Sequence, residues 1–443
     1  MKKILLITIL MISQSFVFAQ SEKISLLSPK NLTASITAKP VQKSKTSFLL
    51  KDYPAGVRKV MDTMPVEDVP FKKSVQIGSI IHMVGSVSQA QTSAVQDADP
   101  TFSNEWRRSF NMYRVRLLFG AQLSKKGSVF LETDIPTIIG SGPTGTKNIK
   151  VSPIILDAQY EHDFLPQFNV IVGQQLVSHN RNGLQRAAAL MANDFTHYQY
   201  PYNLFESDPL QGNFGRDLGV NTRGFFLKDK LEYRLGAFTG RKFDGKGPMR
   251  VVGRLAYNFL DAEKDYYYAG TKLGTGKTFA LAVGYDGQGS YSNIGADAFL
   301  DVPVGSGSIT INTAFTAMTG GTSTGQYVFT TLIPKQTIQF LELGYFFKTI
   351  KLQPWIKYEN QDIDGEAIQF GMPAGTTGAA IENMNILKSN KRMGGGINYF
   401  FNDYNANLRA SYTDVKYGRA NLSGGAETTN YGQLWLQLQI FIF

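Results

Sequence analysis

From residue 74 onward the chain repeats one device: a strand-length segment in which every second side chain is apolar, then a turn-rich stretch. A period of two sends alternate side chains to opposite faces, so each segment predicts a strand with one apolar and one polar face. Sixteen segments fit: 74–86, 108–122, 127–135, 152–162, 168–176, 217–227, 231–239, 250–259, 277–286, 292–302, 307–318, 338–348, 352–360, 393–401, 406–416 and 431–443. The last alternates through Leu434, Leu436, Leu438, Ile440 and Ile442 and ends on Phe443. As an open edge it would recruit other chains. Paired back onto the first strand, it closes a sheet whose backbone can sit in lipid. The pattern predicts an all-β fold, a transmembrane antiparallel β-barrel of about sixteen strands. A β-helix or two soluble sandwiches would also supply many short strands, but neither accounts for the closing segment.

Composition agrees. Hydrophobic residues make up 43% and charged residues 18%, with mean hydropathy −0.16. Such values suit a barrel in which only alternate strand residues meet lipid. The 30 Phe and 21 Tyr suit aromatic girdles at the two interfaces. The absence of cysteine excludes a disulfide framework and thiol chemistry.

The N-terminus reads as an export signal. Lys2 and Lys3 precede an apolar run from Ile4 to Phe18, and Val17 with Ala19 fits small-residue cleavage before Gln20. The expected organisation is a signal peptide at 1–19, a partly disordered periplasmic extension at 20–72 with a short helix near 56–61, and the barrel at 73–443. The formal charge is +10. An exported chain without a basic run excludes nucleic acid as partner, which leaves small anions or acidic lipid.

Connection lengths set the sidedness. Those at 124–126, 163–167, 228–230, 349–350 and 402–403 are short, whereas 87–107, 177–216, 319–337 and 361–392 are long. Short periplasmic turns and long outer loops are the bacterial asymmetry, and an even strand count puts both termini in the periplasm. Two connections break the rule: 260–276 is long where a short one belongs, and 287–291 is the reverse. A misplaced strand boundary there is the expectation.

Parity then sorts the side chains. Tyr113, Val115, Leu117 and Phe119 share one face, leaving Arg114 and Arg116 on the other. The same reasoning sends Arg223, Arg234, Arg250, Arg254 and Arg409 inward, since a charge on the lipid face costs about 2–4 kcal/mol at the midplane. Glu132, Asp134, Asp157, Glu161, Asp297 and Asp301 also fall inward. The expected lumen has a basic wall on strands two and six to eight, and an acidic face at Glu132, Asp134 and Asp157. Such a lumen filters small polar solutes; the alternative is that these charges pair and brace the wall. The loop 177–216 carries Arg181, Arg186 and Arg216 and, folded inward, would set the constriction. The alternative is an exposed surface loop.

Several blocks resemble the phosphate-selective porin family of the O and P type. They are Phe110 to Arg116, Val129 to Asp134, Leu156 to Tyr160, Val170 to Gln174, Phe214 to Gly219 and Tyr233 to Gly240. The resemblance covers most of residues 74–443. It implies a sixteen-stranded, usually homotrimeric barrel, an inward-folded third outer loop, and basic residues guiding anions. The family's lysine and arginine ladder has no residue-by-residue counterpart here.

Other motifs fail on spacing. Gly270 to Thr278 lacks the leading Gly of a P-loop because position 271 is Thr. The stretch from Asn360 opens like a calcium loop but has Gly371 where the closing Glu belongs. The four histidines show no metal-ligand spacing. The expectation is an outer-membrane porin that passes small polar solutes, prefers anions, and uses no cofactor, metal or catalytic chemistry. Its alternative is a plugged or closed-lumen barrel that transports hydrophobic substrates or serves a binding or structural role.

Overall fold

A computed structural model describes residues 73–89, 106–135, 140–141, 147–148, 153–194, 215–240, 248–289, 291–319, 335–363, 389–418 and 428–443. The expectations for the signal peptide, the extension and most of loop 361–392 lie outside them.

All sixteen expected segments form strands: β1 (Ser74–Ser88), β2 (Arg107–Gln122), β3 (Gly127–Asp134), β4 (Ile154–Leu165), β5 (Phe168–Leu176), β6 (Arg216–Phe226), β7 (Leu231–Phe238) and β8 (Arg250–Asn258). There follow β9 (Thr278–Gln288), β10 (Tyr291–Val304), β11 (Gly307–Thr319), β12 (Gln336–Phe347), β13 (Leu352–Ile363), β14 (Asn390–Asn402), β15 (Ala406–Gly418) and β16 (Thr428–Ile442). Each pairs antiparallel with its sequence neighbour in one closed barrel. Closure runs from Ser79 opposite Ile442 to Ser88 opposite Gln433. No edge remains, so the backbone groups of the wall are satisfied within it, as a bilayer requires.

Alternation divides the wall into two surfaces. Val283, Ile294, Leu117, Leu235 and Ile356 project outward and are exposed. Thr310, Asn312, Gln353, Gln437 and Gln439 project inward and are buried. Near the short turns the outward face carries aromatic pairs: Phe226–Tyr233, Phe259–Phe279, Tyr345–Phe347 and Tyr399–Phe401, with ring centroids 5.7, 4.8, 4.7 and 4.9 Å apart. Amphipathic rings in a band of this kind mark the membrane interface.

Two expectations need correction. No strand boundary is misplaced between β8 and β10: β8 ends at Asn258 and β9 begins at Thr278, while β9 and β10 close in a tight turn. The long connection 259–277 lies inside the barrel. Tyr113 does not join Val115 and Leu117 on the lipid side. The β1–β2 register slips between His82, opposite Arg114, and Met83, opposite Met112. This β-bulge re-aims Tyr113. Its hydroxyl bonds the Asp194 carboxylate, and its ring meets the inward-facing Trp435 edge-on at 5.0 Å.

Candidate functional site

The lumen is crossed by two segments. The outer loop after β5, residues 177–194, crosses from the β5–β6 wall to the opposite side. His179 lies over Gly284 and Gly295, where an added Cβ at Gly284 would collide with the His179 carbonyl oxygen. Farther on, Ala188 and Ala192 offer carbonyls to Arg409 on β15, at 3.5 and 3.1 Å. Met191 packs on Trp355, and Gly344 leaves room for its sulfur. Asp194 ends the described segment in an ion pair with Arg114 at 2.6 Å, while Lys357 donates to its carbonyl at 3.1 Å. Residues 177–194 are the described part of the inward loop expected over 177–216; 195–214 lie outside the described residues.

The second segment, 259–277, enters from the end of the barrel that carries the short turns. Arg223 donates to the Lys264 carbonyl at 2.9 Å and Arg234 to the Tyr266 carbonyl at 2.8 Å. The Tyr266 hydroxyl reaches the Leu176 carbonyl at 2.7 Å, and that of Tyr268 reaches Glu232 at 2.9 Å. Tyr266 to Tyr268 pack against Phe130 and Ile171 of the wall, and Leu273 against Phe346 and Phe400.

The two segments pair backbone to backbone. Tyr268 N donates to Leu184 O at 2.9 Å, Arg186 N to Tyr268 O at 3.0 Å, and Gly270 N to Ala189 O at 2.9 Å. Arg181 is sandwiched in this junction. It pairs with Glu263, donates to the Ala269 carbonyl at 2.8 Å, and sits 3.5 Å from the Phe299 ring centroid. Burial opposes ionisation of Glu263, but Arg181 and Lys272 outweigh it and hold the carboxyl down at about 2. Burial likewise outweighs the attraction of Asp286 and Asp297 and holds the His179 imidazole down at about 4. Arg186 faces Asp265 at 3.8 Å.

The arginines of the wall are inward as parity requires, and they are engaged. Arg116 bridges Glu132 at 2.8 Å and Asp134 at 2.9 Å. Arg216 bridges Asp157 at 3.0 Å and Glu132 at 3.5 Å; it opens strand β6 and is not part of the constriction loop as expected. Arg234 meets Glu232 at 2.8 Å, with Arg223 3.7 Å from the same carboxylate. Arg250 lies between Asp286 at 2.6 Å and Asp217 at 3.2 Å. Arg254 grips both oxygens of Asp297. Arg409 is held by Asn407 at 2.8 Å, Gln439 at 3.3 Å and the two loop carbonyls. The basic wall and the acidic face thus interleave: Glu132, Asp134 and Asp157 sit between Arg116 and Arg216. Among the described residues, no group of three or more His, Cys, Asp or Glu is placed to hold a metal.

Sequence reasoning missed Glu263, Asp265 and Tyr266 to Tyr268. The available signal was the excess length of 260–276, which marks a periplasmic connection with somewhere to go.

No protein-family model matches the chain, and no curated protein matches it in sequence. Among solved structures it is similar to the outer membrane channel DcaP of Acinetobacter baumannii, at 12% identity and TM-score 0.51, over 83% of this chain and 97% of that one. It is also similar to an anion-selective porin from Comamonas acidovorans, at 10% identity and TM-score 0.49, over 84% of this chain and 100% of that one. The closed barrel, its apolar belt and the first of these similarities make the chain an outer-membrane β-barrel with the sixteen-stranded porin fold.

Proposed function

We propose that the chain is a passive outer-membrane channel for small polar solutes, narrowed at mid-barrel by segments 177–194 and 259–277. The observation that carries this reading is the inward face. Glu342, Gln353, Asn398, Gln437 and Gln439 face inward as buried polar side chains where a purely structural barrel could carry apolar ones. A swelling assay on proteoliposomes with neutral solutes of graded size tests it: entry of small solutes and exclusion of larger ones is expected. No entry of any solute from folded protein refutes it.

The finer reading is an anion preference, with phosphate-like solutes as the extreme case. It draws on 45 Lys and Arg against 35 Asp and Glu, and on the sequence blocks that resemble those of phosphate-selective porins. Against it stands the pairing of the wall arginines, of which Arg409 has no carboxylate among its described partners. Reversal potential under a KCl gradient decides the sign.

A homotrimer is the proposed assembly. The periplasmic aromatic band is interrupted from β15 to β3, where Leu408, Ile440, Ile77 and Leu131 take the outward positions and Phe119 alone is aromatic. Such a face suits close contact between copies better than the lipid interface. A closed lumen is the second reading, favoured by the near-complete burial of Arg181 and Tyr266, 2% and 0% exposed.

A further inference from the structure

We propose that the inward periplasmic turn, 259–277, determines the size limit of the channel, acting as one unit with the outer loop. This rests on the channel reading above. Three observations carry it. The turn is far longer than its neighbours: the β6–β7 and β12–β13 turns span four residues each, 227–230 and 348–351. Its buried residues are bulky, with Tyr266, Tyr267, Tyr268 and Leu273 projecting into space that a short turn would leave to water. It also holds the outer loop in place. Leu184, Arg186 and Ala189 take backbone hydrogen bonds from or to it, and Arg181 finds its carboxylate there.

The wall is adapted to receive the turn. Arg223 and Arg234 aim past their shared carboxylate to carbonyls 264–266, and Gln353 on the far side reaches the Thr271 hydroxyl at 2.9 Å. Tyr404, in the β14–β15 turn, bonds the Thr271 carbonyl. The segment is therefore pinned on opposite walls and spans the lumen. Shortening it removes the rings and also the partners that seat the outer loop, so both halves of the constriction give way together.

The test compares three folded proteins in planar bilayers and in swelling assays. These are the wild type, a variant in which 260–276 is replaced by a short turn, and Tyr266→Ala/Tyr267→Ala, which keeps the backbone. Folding is checked by the gel-mobility shift of an intact barrel. The shortened variant is expected to conduct severalfold more and admit larger solutes, with the double tyrosine variant in between. If the shortened variant does not fold, the tyrosine variant decides alone. Conductance and size limit equal to wild type in a folded variant overturn the inference. A silent wild type beside a conducting short-turn variant supports the turn as the barrier and refutes free passage in the intact protein. Silence in all three refutes the channel reading itself, and this inference with it.

Discussion

Replacing Arg254 separates a bracing role from a solute-guiding one. Arg254 Nη2 donates to Asp297 Oδ1 at 2.9 Å, and Nη1 bonds the other oxygen. The two side chains are 2% and 3% exposed. Arg254→Met would leave a carboxylate buried with only the Arg181 amide, 3.1 Å away, as a remaining donor. Removing one partner of a buried ion pair costs about 3–5 kcal/mol. Arg254→Met/Asp297→Leu removes both charges; it leaves the Arg181 amide and, as in the single variant, the His179 carbonyl without these partners, about 1 kcal/mol each. The double variant should therefore be more stable than Arg254→Met alone by about 2–4 kcal/mol. Urea unfolding in lipid vesicles, followed by tryptophan fluorescence, measures it. Because the pair is neutral, the double variant should also keep the wild-type reversal potential. If Arg254→Met proves as stable as wild type and shifts selectivity toward cations, Arg254 is a free pore charge and the bracing argument is wrong.

Further expectations follow from packing and titration. Val283→Arg places a charge on an outward position that is 57% exposed and should cost about 2–4 kcal/mol in bilayer unfolding measurements if that site is at the midplane. Gly284→Ala drives a methyl into the His179 carbonyl and should unseat the outer loop, read as altered conductance with little change in barrel stability. Acid should loosen the constriction in two stages, followed as conductance against pH. His179 titrates at about 4 in place against an ordinary 6.5, so a freed loop binds the proton first and its seating weakens as pH falls between those values. Glu263 is held at about 2 against 4.5, so its contribution is complete above 4.5 and lost toward 2.

Much of the wall was legible because alternation is a property of single strands. Each of the sixteen segments was found, and the inward direction of Arg116, Arg234 and Arg254 followed from parity and the cost of charge in lipid. What those arginines touch was not legible. Arg254 on β8 reaches Asp297 on β10 across the intervening β9, where Gly284 stands opposite both Arg254 and Gly295 and leaves the space open. Such a contact depends on the register of three strands at once. Tyr113 escaped for a related reason, because one extra residue on β2 reverses the parity count there. The inward turn escaped because its sequence carries no alternation, and length alone does not say which side of the wall a connection folds to.

The most direct test of the account is the single-channel conductance of purified, folded wild-type protein in a planar bilayer. A narrow water-filled path should give small, steady openings that rise with salt concentration. Complete silence under the same conditions would contradict it and leave a barrel closed by its own loop and turn.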